Sequence, residues 1–179
     1  MFKVLTKGCE PKRGSKYSAC VDLFASEDVV IGAGETAVVG LGVRVDFADL
    51  IEQGIFDSGN FSVNGLVDVE FNQELLDDFK NSNYLHLMLR SSLGKKGLIL
   101  PNGVGVIDLD YKDEIKVLIH NPIHLNCLKN DISFKAAKIN KGDKIAQITL
   151  LEHKSYLFNI NTETERVGGF GSSDTKEQK

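Results

Sequence analysis

The chain has 179 residues, of which 42% are hydrophobic and 26% charged, and its formal net charge at pH 7 is −4. This length and composition are typical of one globular domain with a core of its own, and no run of residues is apolar enough to predict a membrane span. The N-terminal residues lack the apolar segment of a secretory signal, so we expect a cytoplasmic protein, and the acidic balance disfavours stable binding to nucleic acid.

Most of the predicted elements are β-strands. Several short segments alternate apolar and polar residues, as half-buried strands do, and Gly, Asn and Asp turns separate them. The predicted strands lie within residues 36–47, 114–120, 144–151 and 155–160. Such a pattern indicates a sandwich or barrel rather than βαβ units.

Residues 48–84 interrupt this pattern of strands. The segment FNQELLDDFKNS predicts a helix that Asn72 caps and that presents Leu75, Leu76 and Phe79 on one apolar face. The preceding stretch, GIFDSGNFSVNG, is rich in turn residues. We interpret residues 48–84 as an insertion on a β scaffold, with an interaction or lid role as one hypothesis for it.

A patch with the sequence RSSLGKKG follows at residues 90–97. Its arginine can bind phosphate oxygens in a bidentate manner and its serines can donate hydrogen bonds, so the patch is a candidate phosphate site. Taken alone, however, a charged turn between strands is the better interpretation.

Residues 101–111, PNGVGVIDLDY, form the next patch. Its glycines predict a tight hairpin whose exposed backbone could pair with the edge of a planar ligand. Asp108 follows Val106 and Ile107 in a partly apolar wall, which makes it a candidate general base. The alternative is a hairpin whose aspartates contact only solvent.

Two further patches lie towards the C-terminus. In KGDKIAQ, residues 141–147, the Gly-Asp pair predicts a turn and Gln147 stands on the following strand. In RVGGFGSS, residues 166–173, glycines and serines can form a backbone nest for polyphosphate, although no Gly-Lys-Ser/Thr follows as in a Walker A loop. We expect residues 166–179, which end in a polar and charged tail, to be mobile.

Together with SACVDLFA at residues 18–25, these four patches occur in the order and approximate spacing of the five motifs of trimeric dUTP pyrophosphatases (dUTPases). The chain resembles that family from about Tyr17 to Ser173. The resemblance implies one domain over residues 1–179 with the fold of a distorted jelly-roll β-barrel. It also implies a homotrimer in which each active site takes elements from all three subunits.

The resemblance further implies an enzyme, dUTP diphosphatase. In this family Mg²⁺ assists the attack of water on the α-phosphorus of dUTP, which gives dUMP and pyrophosphate. The reaction keeps uracil out of DNA and supplies dUMP for thymidylate synthesis. A hard cation held by phosphate oxygens and water needs no His/Cys cluster in the protein.

Family roles carry over by position. Asp108 would be the catalytic residue that orients and activates the water, and Asp22 would hold the waters of the metal in its outer shell. Asn102 and the backbone of residues 103–107 would contact uracil, and Tyr111 would pack under the deoxyribose and exclude a 2′-hydroxyl. The full set of expected substrate-binding residues is Arg90, Ser91, Ser92, Asn102, Gly105, Ile107, Tyr111, Gln147, Arg166, Phe170, Gly171, Ser172 and Ser173.

Three motifs depart from the family pattern. The first usually has Gly and an aromatic or aliphatic residue before its Asp, where this chain has Cys20 and Val21. The second is one residue shorter than usual around Lys95-Lys96-Gly97. In the last, the family arginine normally stands one residue farther from Gly-Gly-Phe, where this chain has Glu165, so Arg166 occupies a shifted position.

Two alternatives remain at this stage. The first is dCTP deaminase, which shares the fold and an Arg-Ser-Ser-Leu-Gly motif, but its catalytic Glu lies ten residues beyond the hairpin Asp, where this chain has Leu118. The second is a regulatory protein of the phage type that uses the insertion at 48–84 to bind a protein partner.

Overall fold

The computed structural model describes residues 1–61, 67–122, 136–158 and 160, with side chains except at 58–61 and 67–70. Strands predominate in it. The strands are β1 (Phe2–Val4), β2 (Lys12–Arg13), β3 (Val21–Phe24), β4 (Val29–Ile31), β5 (Thr36–Gly40), β6 (Val43–Val45), β7 (Asp57–Phe61), β8 (Val67–Phe71), β9 (Asn83–Leu89), β10 (Gly105–Asp108), β11 (Lys116–His120), β12 (Ala137–Ile139) and β13 (Lys144–Glu152). The helices are α1 (Ala48–Glu52), α2 (Gln73–Ser82) and α3 (Ser91–Lys95), and a 3₁₀ turn spans Ser155–Phe158.

The largest sheet has five antiparallel strands in the order β10-β9-β13-β3-β2. Three strand pairs, β1/β6, β5/β11 and β4/β12, supply the other walls of the fold, and β7/β8 form a separate hairpin. The prediction of an all-β protein with a small helical segment is confirmed.

The core lies between the large sheet and the strand pairs. Alternate residues of β9, β11 and β13 point into it, as the period-two pattern predicts. Its fully buried side chains include Leu23, Ile31, Leu41, Leu85, Leu87, Ile115, Ile119, Ile139, Ile145 and Ile148. The other faces of the same strands are therefore free to carry polar side chains.

Strand β13 contains a bulge between Lys144 and Ala146. An extra residue in one strand changes which side chains face inward, and here Ile145 and Ala146 are both fully buried. Beyond the bulge the alternation resumes, so Gln147 lies on the outer face while Ile148 lies in the core.

The predicted strand at 36–47 is divided in two. Gly42 has a φ of +65°, which a side chain would disfavour, and a Cβ there would lie 2.7 Å from Cβ of Cys9. The turn at Leu41–Gly42 separates β5 from β6, so each pairs with a different strand.

The predicted helix in the insertion is confirmed as α2. The side chain of Asn72 accepts hydrogen bonds from the backbone N–H groups of Glu74 and Leu75 at 2.9 and 3.4 Å. Leu76 is buried, whereas Leu75, expected on the apolar face, is 42% exposed. No helix in the described part of the chain is long and apolar enough to cross a membrane.

An aromatic cluster joins the insertion to the scaffold. The rings of Phe47, Phe56 and Phe79 contact each other edge to face, with centroids 5.5–6.4 Å apart. The hairpin β7/β8 lies between Phe56 and α2, and the sequence pattern did not predict it. Asn83 and Tyr84, the last residues of the expected insertion, belong to β9.

Two local predictions are wrong. Residues 155–158 form a 3₁₀ turn instead of a strand, because the backbone and hydroxyl of Ser155 both contact Nδ1 of His153 and bend the chain. Residues 101–111 do not form a tight hairpin. Strand β10 pairs with β9, and the connection between the two strands contains α3 and the turn at 101–104.

Candidate active site

One outer face of the large sheet carries a row of motif residues. The strand register places Lys12 opposite Asp22, Asp22 opposite Gln147, and Gln147 opposite Met88. Directly opposed residues in neighbouring strands share a face of the sheet. Two predicted site residues from distant parts of the sequence, Asp22 and Gln147, are therefore neighbours.

Asp22 is a buried carboxylate in contact with two cations. Its Oδ2 atom accepts from a guanidinium nitrogen of Arg90 at 2.9 Å and from Nζ of Lys144 at 3.2 Å. The side chain of Asp22 is 9% exposed, whereas those of Arg90 and Lys144 are 30% and 46% exposed. Two positive charges on one negative charge leave this part of the face cationic, as a site for phosphate requires.

The backbone around Arg90 is fixed by the sheet and by α3. Its N–H donates to the carbonyl of Ile145 at 3.0 Å, and its carbonyl accepts from Leu93 at 3.0 Å. Leu93 is buried and anchors the short helix. Ser91 and Ser92 follow Arg90 directly, and both are exposed.

A pocket of about 220 Å³ lies beside β10. It is mainly apolar, and Gly105 allows the backbone of β10 to approach Leu87 closely, since a Cβ would lie 3.2 Å from that side chain. The residues that line the pocket are Leu87, Leu100, Asn102, Gly105, Val106, Ile107, Tyr111, Lys116, Val117 and Leu118. Four residues predicted to contact the nucleoside, Asn102, Gly105, Ile107 and Tyr111, are thus brought together.

Local hydrogen bonds shape this pocket. The side-chain amide of Asn102 donates to the carbonyl of Val104 at 2.9 Å across the turn at Gly103, whose φ is +72°. The Tyr111 hydroxyl donates to the carbonyl of Glu114 at 3.3 Å. Burial raises the pKa of Tyr111, and the charges of Asp113 and Glu114 raise it further, so the hydroxyl remains a protonated donor at neutral pH.

Asp108 lies at the end of β10, an edge strand, and it is exposed. It stands opposite Tyr84, whereas Gln147 stands opposite Met88, and two strand spacings separate β10 from β13. Tyr84 and Met88 are four residues apart on β9. With about 4.8 Å between strands and about 3.4 Å per residue, the Cα atoms of Asp108 and Gln147 are therefore about 17 Å apart in one chain. The family resemblance implies that Asp108 contacts the attacking water and Gln147 the substrate, so both must reach one reacting phosphate, which this separation does not allow within one chain.

Comparison with known proteins agrees with this arrangement. The family model for dUTPase matches residues 80–174. The deoxyuridine 5′-triphosphate nucleotidohydrolase of Francisella philomiragia is 33% identical over 170 residues, which cover 90% of this chain and 86% of that protein. The chain belongs to the dUTPase family.

Relatives and solved structures match almost the whole dUTPase chain. The nucleotidohydrolase of Escherichia phage T5 is 29% identical, and the match covers 98% of each protein. The dUTPase of phage phi11 of S. aureus has a TM-score of 0.58 at 20% identity, covering 96% of this chain and 97% of the phage chain. The dUTPase of Streptococcus mutans has a TM-score of 0.54 at 23% identity, and the match covers 84% of this chain and 94% of the Streptococcus chain. The jelly-roll type of fold is confirmed.

dUTPases generally depend on magnesium, and the described residues of this chain offer few side-chain ligands for such an ion. The described residues include no group of three or more His, Cys, Asp or Glu side chains that could hold a metal ion. Asp22 already bonds Arg90 and Lys144 through Oδ2. This donor set fits an ion that is carried mainly by phosphate oxygens and water.

Five predicted site residues of this dUTPase, Arg166, Phe170, Gly171, Ser172 and Ser173, lie outside the described residues. In turn, the structure adds residues that the motifs did not indicate. Lys144 contacts Asp22, and Leu100, Lys116 and Leu118 line the pocket. The alternation of β11 could have placed Lys116 and Leu118 on the face opposite Val117, but not beside β10, because strand pairing is not visible in one sequence.

Proposed function

We propose that this dUTPase converts dUTP to dUMP and pyrophosphate by attack of water on the α-phosphorus, with Asp108 as the base that orients and activates the water. The observation that carries the proposal is the pocket on β10, the strand that ends at Asp108. A pyrimidine seated along this strand extends its sugar and phosphates towards the exposed carboxylate. The water then loses a proton to Asp108 as it attacks, and pyrophosphate leaves.

The nucleoside half of the site selects uracil and deoxyribose. Asn102 and the backbone of Gly105 and Ile107 supply hydrogen-bond donors and acceptors at the pocket wall. Strand β10 lies at the edge of the sheet, so only one of its two edges pairs with β9. The ring of Tyr111, which is 9% exposed, packs under the sugar and leaves no room for a 2′-hydroxyl. Such a pocket combines apolar burial with a few polar groups that fix orientation.

The phosphate half of the site neutralises the triphosphate. Arg90 keeps guanidinium donors beyond the one that contacts Asp22, Ser91 and Ser92 are exposed next to it in the sequence, and Gln147 stands opposite Asp22 in the sheet. The C-terminal residues Arg166, Gly171, Ser172 and Ser173 would bind the terminal phosphates, and Phe170 would cover the base. A bound Mg²⁺ supplies positive charge at the phosphate oxygens, and Asp22 would contact its outer water shell.

The assembly we propose is a homotrimer with shared active sites. The separation of about 17 Å between Asp108 and Gln147 supports it, because the two halves must come from different chains to meet at one α-phosphorus. The nucleoside half of one subunit would then face the phosphate half of a neighbour.

A substrate panel tests the activity. Purified protein with Mg²⁺ should release pyrophosphate from dUTP and act far more slowly on UTP, dTTP and dCTP. Equal rates on all four nucleotides would contradict the proposal. Release of ammonia from dCTP would instead establish the deaminase alternative, which Leu118 disfavours because it lines the pocket with an apolar side chain where that family carries its catalytic Glu.

A second function, binding of a protein partner by the insertion, is favoured by its charge. Residues 48–84 contain eight acidic residues and one basic residue, so this segment has a net charge of −7 and the rest of the chain +3. Ile55, Phe71 and Leu75 are also exposed on it. Exposed apolar side chains among acidic ones suit a partner with a basic, partly apolar surface.

The structure suggests a precise deletion for testing this role. The N–H of Asn72 donates to the carbonyl of Phe56 at 2.7 Å, so the ends of the β7/β8 hairpin are adjacent. Replacing residues 57–71 by two glycines should preserve the aromatic cluster and dUTP hydrolysis. Loss of a partner that the full chain captures would support the binding role, and capture at the same level by both chains would contradict a role of the hairpin.

A further inference from the structure

The loop between β10 and β11 is held by a buried contact of Glu114. The Oε1 atom of Glu114 accepts a hydrogen bond from the N–H of Gly42 at 2.7 Å, seventy-two residues away in the sequence. Gly40 leaves the space that this carboxylate occupies, since a Cβ on Gly40 would lie 2.6 Å from the same oxygen. A charged acceptor strengthens such a bond, and its half-buried position limits competition from water.

The backbone reinforces this contact on both sides. The N–H of Leu41 donates to the carbonyl of Ile115 at 3.0 Å, and the N–H of Ile115 donates to the carbonyl of Val43 at 2.8 Å. Three hydrogen bonds therefore connect the turn between β5 and β6 to the end of the loop. Glu114 supplies the only side chain among these three hydrogen bonds.

Tyr111 depends on the same loop. Its N–H donates to the carbonyl of Asp108 at 3.1 Å, and its hydroxyl donates to the carbonyl of Glu114 at 3.3 Å. The ring is thus fixed at its backbone end by the strand of the proposed base and at its hydroxyl end by Glu114. Movement of Glu114 would carry the hydroxyl end of the ring with it.

We propose that Glu114 is a positioning residue that fixes the Tyr111 ring against the sugar and thereby sets the preference for 2′-deoxyribose over ribose. This inference rests on the proposed function, in which Tyr111 packs under the deoxyribose. A ring excludes one additional oxygen only when it cannot shift, and close-packed contacts provide that rigidity. Without the hydrogen bond between Glu114 and Gly42, the loop allows the Tyr111 ring to move away from the sugar, and the pocket then accepts UTP.

The test compares kcat/KM for dUTP and UTP in four variants. Glu114→Ala should lower the dUTP/UTP ratio at least about tenfold, the size expected for losing a hydrogen bond to a charged acceptor. Glu114→Gln keeps an oxygen that can accept from Gly42 and should hold the ratio within about threefold of wild type. Gly40→Ala displaces the carboxylate and should reproduce the Glu114→Ala ratio. Asp113→Ala, which removes an adjacent exposed carboxylate, should leave the ratio unchanged.

A double variant separates positioning from general loosening. In a Tyr111→Phe background, Glu114→Ala should change the ratio little further, because the ring no longer has the hydroxyl that Glu114 holds. Additive effects would contradict the inference, as would a wild-type ratio in folded Glu114→Ala or in Gly40→Ala. If Glu114→Ala does not fold, Gly40→Ala and Glu114→Gln decide. Failure of the proposed function appears differently, as a wild-type enzyme with no preference for dUTP.

Discussion

Asp22 illustrates how a single residue links the fold to the site. The motif around it indicates a functional carboxylate, but only the structure shows that its Oδ2 atom bonds both Arg90 and Lys144. The sequence could not predict this, because Asp22 and Lys144 meet through the pairing of β3 with β13. In the proposed function, substrate would therefore bind to an arginine that already has one anionic partner.

Removal of this charge should cost stability. In Asp22→Asn, Arg90 and Lys144 lose a charged acceptor, and we expect the free energy of unfolding to fall by about 1–3 kcal/mol. Lys144→Met should cost less, under about 1 kcal/mol, because Lys144 is largely exposed and its ion pair is screened by water. Urea unfolding of both variants measures the difference, and an equal or larger loss in Lys144→Met would show that Asp22 is not the centre of the cluster.

The proposed base gives a second prediction at the same scale. Asp108→Asn keeps the size of the side chain but removes its ability to accept a proton, so turnover of dUTP should fall at least about a hundredfold while nucleotide still binds. Asp110→Asn is the matched control, since Asp110 is also exposed in the same segment. Steady-state kinetics and binding of a non-hydrolysable analogue measure both quantities. A rate near wild type in Asp108→Asn would remove Asp108 from this role.

Among the secondary-structure elements, the sequence pattern predicted those whose stabilising contacts lie within one segment. Helix α2 was predicted with its cap because Asn72 and the apolar spacing act within the segment itself. The division of β5 from β6, the β7/β8 hairpin and the 3₁₀ turn at 155–158 were not predicted. The division of β5 from β6 depends on a contact distant in the sequence, since Gly42 lies against Cys9, whereas the turn at 155–158 depends on hydrogen bonds of Ser155 to His153 that the alternation of apolar residues does not show.

The cap of α2 can be tested without affecting the site. Asn72→Ala removes the acceptor for two backbone N–H groups and should lower the free energy of unfolding by about 1 kcal/mol. Asn72→Asp should retain most of that stability, and Asn81→Ala, an exposed position in the same helix, serves as the control. Thermal or urea unfolding provides the comparison. A loss in Asn81→Ala that matched the loss in Asn72→Ala would attribute the effect to helix composition instead of to the cap.

For the whole molecule, the strand order carries information that the motifs lack. The motifs predicted a set of site residues, and the structure places described members of that set in two groups, one around Asp22 and one around the pocket on β10. The order β10-β9-β13-β3 places two strands between β10 and β3. This separation is invisible in the order of motifs along the chain, and it supports the proposal that different subunits supply the two groups.

Shared sites predict that two inactive variants can restore each other. Asp108→Asn lacks the base and Arg90→Ala lacks a phosphate contact, so each should be nearly inactive alone. When they are co-expressed with different tags and the mixed trimers isolated, some sites combine Asp108 from one subunit with Arg90 from another. Each mixed trimer then has one complete site among its three, so activity should rise towards about a third of the wild-type rate.

Controls decide how the restored activity is interpreted. Mixed trimers of two differently tagged Asp108→Asn chains should remain inactive, which excludes an effect of the tags. Sequential purification on the two tags establishes that the assemblies contain both chains, and light scattering establishes that they are trimers. If such trimers show no more activity than the separate variants, Asp108 and Arg90 must act within one chain. That result would require Asp108, which stands opposite Tyr84 on β9, to reach Arg90 about 20 Å further along the chain of that strand, and the hydrogen bonds between β10 and β9 oppose such a movement.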